Sequence, residues 1–126
     1  MLEVGLYAGV LALIYIYLAV CVIRVRFKTQ TKLGDGGHDT LAAAIRAHGN
    51  FSEYVPLALL MIGFLNYQGV AVWAIHALGI TLIAGRVVHA YSIHRDILKL
   101  RPVGMGMTFT VIAVAALWLI FLFITK

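Results

Sequence analysis

A chain of 126 residues that is 63% hydrophobic and 12% charged is one domain by length and too apolar for an ordinary water-soluble one. Its formal net charge of +5 does not call for nucleic acid as a partner, because the basic residues flank hydrophobic runs, where membrane topology accounts for them. The single cysteine, Cys21, excludes an internal disulfide and a cysteine-based metal site.

The first predicted element, residues 2–23, lacks the charged start and the cleavage site of a secretion signal and is expected to persist as a membrane helix. At 1.5 Å per residue it reaches ~33 Å, enough for one crossing. Arg24, Arg26 and Lys28 follow at alternate positions. If the helix continues, Arg24 and Lys28 share a face and Arg26 looks elsewhere. Cys21, near the end of this helix, reads as a small apolar side chain. The polar connection that follows contains Gly34, Gly36 and Gly37. It lacks the lysine and hydroxyl residue of a phosphate-binding loop, and no strand precedes it, so it is a flexible turn. Asp39 or Thr40 is positioned to cap the next helix.

The second element, residues 41–65, carries charges of both signs in Arg46-Ala-His-Gly-Asn-Phe-Ser-Glu-Tyr-Val-Pro-Leu57. On a helix Arg46, Asn50, Glu53, Tyr54 and Leu57 project within roughly a 100° arc, while His48 points to the opposite side. Arg46 and Asn50 are four apart, as are Asn50 and Tyr54, so neighbours can hydrogen-bond along the helix. Ionisable groups at membrane depth cost roughly 2.5–3.5 kcal/mol each on insertion scales and normally face a bundle interior or a polar cavity. The stripe should therefore line something. Pro56 should kink the helix just past it, and Asn66 to Gly69 form a short turn into an antiparallel neighbour.

The third element, residues 70–93, has His76 near its start, in a packing or interfacial role. Toward its end Arg86 and His89, three apart, can face one cleft. Tyr91, His94 and Arg95 are either the wet end of the helix or part of a site lining. The five histidines include no metal-binding spacing, and no metal is expected. Lys99 and Arg101 lie in the last connection, and Pro102 suits the first turn of the fourth element, residues 103–125. Gly104 and Gly106 there allow close helix contact.

Each run can supply the roughly 17–25 residues that cross a bilayer, and lipid cannot satisfy an open sheet. The expected fold is an all-α integral membrane protein, an antiparallel four-helix transmembrane bundle. Both strongly basic connections should lie in the cytoplasm, with both termini on the other side of the cytoplasmic membrane. Arg24 and Lys28, the stripe, and Arg86 with His89 would then meet at one membrane depth. Several cations with one carboxylate, Glu53, suit a small zwitterionic peptide with more than one carboxylate. An arginine beside a thiol would favour its thiolate, and membrane lipid could deliver a hydrophobic small molecule as second substrate. Alternatively, Arg46 and Glu53 only satisfy one another and hold the bundle together.

Arg46-Ala-His-Gly-Asn50, then Glu53-Tyr54-Val-Pro56-Leu57, and Ala84-Gly-Arg86-Val-Val-His89 together resemble the MAPEG family, the membrane-associated proteins in eicosanoid and glutathione metabolism. The Gly-Asp-Gly-Gly stretch and Ala44 to Asn50 are similar to its small bacterial branch, which implies an inner membrane. The resemblance covers almost the whole chain. It implies a homotrimer with glutathione as co-substrate in clefts between subunits, and transferase, peroxidase or isomerase chemistry. Arg46, Asn50, Glu53 and Tyr54 match the family's second-helix glutathione pattern, with Arg24 and Lys28 matching basic positions that end its first helix. Arg86 matches an arginine of the third helix. His89 and His48 stand where the mammalian synthase branch has tyrosine and glutamine. Arg101 is the nearest match to a thiolate-activating arginine, at a spacing from Arg86 that differs by about one residue.

The implied function is glutathione-dependent transfer to, or peroxide reduction of, a hydrophobic electrophile. Arg101 would be the catalytic residue. Arg24, Lys28, Arg46, Asn50, Glu53, Tyr54, Arg86 and His89 would bind substrate. The competing reading is a non-enzymatic trimeric scaffold that keeps a pocket for glutathione-like molecules or anionic lipid.

Overall fold

A computed structural model describes residues 1–125 as four helices: α1 (Leu2–Thr29), α2 (Asp39–Tyr67), α3 (Val72–His94) and α4 (Arg101–Thr125). The chain is all-α. α2 and α3 form the centre: α1 packs on both from one side, α4 packs on both from the other, and α1 and α4 do not meet among the described residues. The buried apolar positions of α2, namely Leu41, Ala44, Ala47, Phe51, Val55, Ala58, Ile62 and Leu65, recur every three or four residues, which is one continuous helical stripe. From Ala47 to Leu65 they join Leu11 and Leu18 of α1, Ile75 and Leu82 of α3, and Val111 and Ala115 of α4 in one apolar core.

Three helices, α1, α3 and α4, are long and apolar enough to cross a membrane. The expectation of four such spans is met by three. α2 is long enough, but Arg46, His48, Asn50 and Glu53 in its first half lower its hydropathy.

Local chemistry sets where the helices stop. α1 runs on through Arg24, Arg26 and Lys28 and ends where Gln30 takes left-handed backbone at φ 52°, a common helix terminator. Arg26 turns away from its neighbours and donates to the carbonyls of Gly34 at 2.9 Å and Thr31 at 3.4 Å, so it pins the connection to the end of α1. In that connection the Asp35 carboxylate accepts from the Gly37 amide at 2.9 Å. Neither Asp39 nor Thr40 caps α2. His38 is the cap residue and makes no side-chain bond to the helix, while Asp39, in the first turn, faces the positive end of the helix dipole. α2 continues as helix through Pro56 and ends in a turn with Gly69 at φ 79°.

α3 and α4 approach closely at two glycines. A β-carbon on Gly104 would lie 2.7 Å from the His89 amide nitrogen and 2.8 Å from the Gly85 carbonyl oxygen. One on Gly85 would lie 3.0 Å from the Met107 β-carbon. Gly106 meets nothing within 4 Å, so only Gly104 of the expected pair serves helix contact. At the opposite end of the bundle the Tyr7 hydroxyl lies 2.6 Å from His76 Nδ1, which ties α1 to α3 and gives His76 a packing role.

Candidate functional site

The starts of α2 and α4 and the end of α3 converge on an open cleft of ≈ 590 Å³. Its lining includes Arg46 and Asn50 from α2, His89 from α3, His94 and Asp96 from the α3 end and its turn, and Arg101 from α4. Helical spacing places Arg46 and Asn50 one turn apart on the same side. The Gly85–Gly104 crossing sets Arg101 and His89 at one level.

The cations of this region differ in how they are balanced. Arg46 Nη1 lies 3.5 Å from Glu53 Oε1, with the two side chains 59% and 52% exposed. Arg101 Nη2 donates to Asp96 Oδ1 at 2.9 Å, and its Nε is buried without a protein acceptor. Arg86 is 2% exposed. Its Nη1 donates to Asn50 Oδ1 at 2.6 Å, and its Nη2 reaches the Met105 sulfur at 3.5 Å, a weak acceptor. Its Nε is also without a protein acceptor, and no ion pair to it is found among the described residues. A buried cation held by neutral groups raises the affinity of its surroundings for an anion.

The expected site residues therefore divide. Arg46, Asn50, His89 and Arg101 are brought to one cleft. Arg86 sits behind it, against Asn50. Glu53 lies farther along α2 and engages Arg46, and Tyr54 packs edge-on against Phe109 of α4 with ring centroids 5.4 Å apart. Arg24 and Lys28 are exposed at the end of α1, where Lys28 lines a separate hollow with Thr29, Gln30, His38 and Thr40. α1 does not reach α4, so a single chain does not bring those two residues to Arg101. His48 faces away from the cleft and stacks on Tyr15 of α1 at 4.7 Å.

Of the two readings open for the end of α3, the cleft lining takes His94, while the Arg95 guanidinium sits 6.0 Å from the centre of the Tyr91 ring. Sequence reasoning missed Asp96. It has positive φ, 54°, which an aspartate tolerates better than most residues, and this turn carries its carboxylate back to Arg101. The available signal was an acidic residue five positions before an arginine across a short connection. No group of His, Cys, Asp and Glu able to hold a metal ion occurs among the described residues.

The fold and the cleft define a helical membrane protein with a hydrogen-bonding recess at one end of its bundle, lined by Arg46 and Arg101 together with the carboxylates Asp39 and Asp96. Residues 4–122 match the MAPEG family model, and the chain belongs to the MAPEG family. It is 37% identical over 117 residues to the inner membrane protein YecN of two Escherichia coli strains, an alignment covering 90% of this chain and 89% of each relative. No solved structure matches it.

Proposed function

We propose that the chain is a glutathione-dependent transferase or peroxidase of the bacterial inner membrane, acting on a hydrophobic electrophile. The observation that carries this reading is the convergence of Arg46, Asn50, His89 and Arg101, from three helices, on one cleft in a MAPEG chain. Inner-membrane residence follows the naming of its relatives. α2 is a fourth crossing, because its 29 residues are long enough to span and it packs against α1, α3 and α4.

The cleft of one chain lacks a first-helix contribution, and the Arg46–Glu53 pair stands exposed on a helix at membrane depth, where lipid would penalise it. Both points support an assembly in which a neighbouring copy covers this face and supplies Arg24 and Lys28, and the family resemblance makes that assembly a homotrimer. Arg24, Lys28 and Arg46 would then hold the ligand's carboxylates, Asn50 and Tyr54 would orient the peptide, and Glu53 would take its ammonium. Arg101 would stabilise the glutathione thiolate. The thiol of glutathione is the nucleophile, so Cys21 is dispensable.

The internal pairing of Arg46 with Glu53 and of Arg101 with Asp96 favours a second reading, a non-enzymatic scaffold. Binding of glutathione and of an analogue lacking the thiol, with thiolate absorbance followed across pH, separates the two. The enzyme reading expects both ligands to bind and a depressed thiol pKa that Arg101→Ala abolishes without abolishing binding. Binding with no pKa change would leave a silent glutathione-binding protein.

A further inference from the structure

Arg86 lies behind the cleft rather than in it, yet it determines what the cleft floor offers. Arginine carries donors only, so the Asn50 carboxamide can face Arg86 in one way, with Oδ1 accepting. The 2.6 Å contact thereby turns Nδ2, the donor end, to the side away from Arg86. Asn50 is 8% exposed, and that exposure faces the cleft it lines. The reverse orientation would press an NH2 group against a buried guanidinium. Arg46 and Arg101 already have Glu53 and Asp96, whereas Arg86 has only the amide and a methionine sulfur. Its positive charge acts on whatever accepts from Asn50.

We propose that Arg86 is a positioning residue: it holds the Asn50 carbonyl so that the cleft floor donates a hydrogen bond, selecting an oxyanion such as a carboxylate over a cation. This rests on the reading that an anionic ligand enters the cleft. It goes beyond that reading by making one residue outside the lining responsible for the polarity of the floor.

Asn50→Asp separates positioning from mere packing. The new carboxylate supplies Arg86 with a counter-charge and converts the floor from donor to acceptor. In purified protein its melting temperature should equal or exceed that of the wild type, whereas its affinity for glutathione should fall by about tenfold or more. In an Arg86→Gln background the same substitution should instead lower the melting temperature. An Asn50→Asp protein that binds glutathione as tightly as the wild type, or that loses the same stability with Arg86 present as with it absent, overturns the proposal.

A ligand-free measurement keeps the outcome distinct from failure of the glutathione reading. The carboxamides of the chain are those of Gln30, Asn50, Asn66 and Gln68, so the Asn50 side-chain NH2 signals in nitrogen-labelled protein are identified by their loss in Asn50→Asp. They should exchange with water in the wild type. Signals shielded from water would place the donor end away from the cleft and overturn the assignment of Arg86. If the wild type binds no glutathione while the exchange and the stability coupling hold, the glutathione reading fails and the positioning role stands.

Discussion

At the scale of single residues, helical spacing alone separated the two polar faces of α2. Arg46 and Asn50 line the cleft, and His48 lies against Tyr15 on the α1 side. His48→Gln should therefore leave glutathione affinity within about twofold, while Arg46→Ala should reduce it about tenfold, the worth of a charge-assisted contact. A titration of both variants checks this, and a larger loss in His48→Gln than in Arg46→Ala would mean that the wrong face has been assigned. Spacing also brings Glu53 to the same face as Arg46, two turns on, and the two lie 3.5 Å apart. What it did not reveal is which acid balances Arg101. Asp96 reaches Arg101 only because the backbone at Asp96 takes positive φ, a turn that periodicity does not report. The burial of Arg86 was equally hidden, since a period places a residue on a face but not at a depth.

At the scale of elements, the helices follow the hydrophobic runs closely, and the departures have local causes. α1 outlasts its apolar run because Arg24, Arg26 and Lys28 are good helix formers and can stand in water beyond the hydrocarbon. α2 passes through Pro56 without ending; Pro56 and Ser52, whose carbonyl loses its helical donor there, are both exposed. The two glycines of α4 look alike in sequence and differ in structure, because which one meets α3 depends on the crossing point. Gly104→Ala must push against the His89 backbone and should destabilise the protein by about 1–3 kcal/mol, the usual cost of overpacking. Gly106→Ala meets open space and should be neutral or slightly stabilising. Thermal melts of the two variants in one detergent test this pair, and equal losses would contradict the crossing at Gly85 and Gly104. Tyr7→Phe, which removes the contact to His76, should cost about 0.5–1.5 kcal/mol in the same assay.

At the scale of the whole molecule, the charges of the connections were legible before any coordinates. Arg24, Arg26, Lys28 and Lys32 gather at one end of the bundle with Arg95, Lys99 and Arg101, and the connection between α2 and α3 has no basic residue. With α2 as the proposed fourth crossing, the positive-inside rule would put the cleft at the cytoplasmic side and both termini outside. A carboxy-terminal alkaline phosphatase fusion should be active and a fluorescent-protein fusion dark; the opposite pair of results would invert the topology. The number of copies is beyond helical patterning, because an exposed polar pair on α2 calls for a cover without specifying how many chains supply it. The central claim, a glutathione site completed between three copies, is tested most directly by native mass spectrometry of the protein in mild detergent and lipid with millimolar glutathione. A trimer carrying glutathione is expected, with the ligand occupancy reduced and the trimer kept in Arg46→Ala. A monomer, or a trimer that carries no glutathione at that concentration, would contradict it.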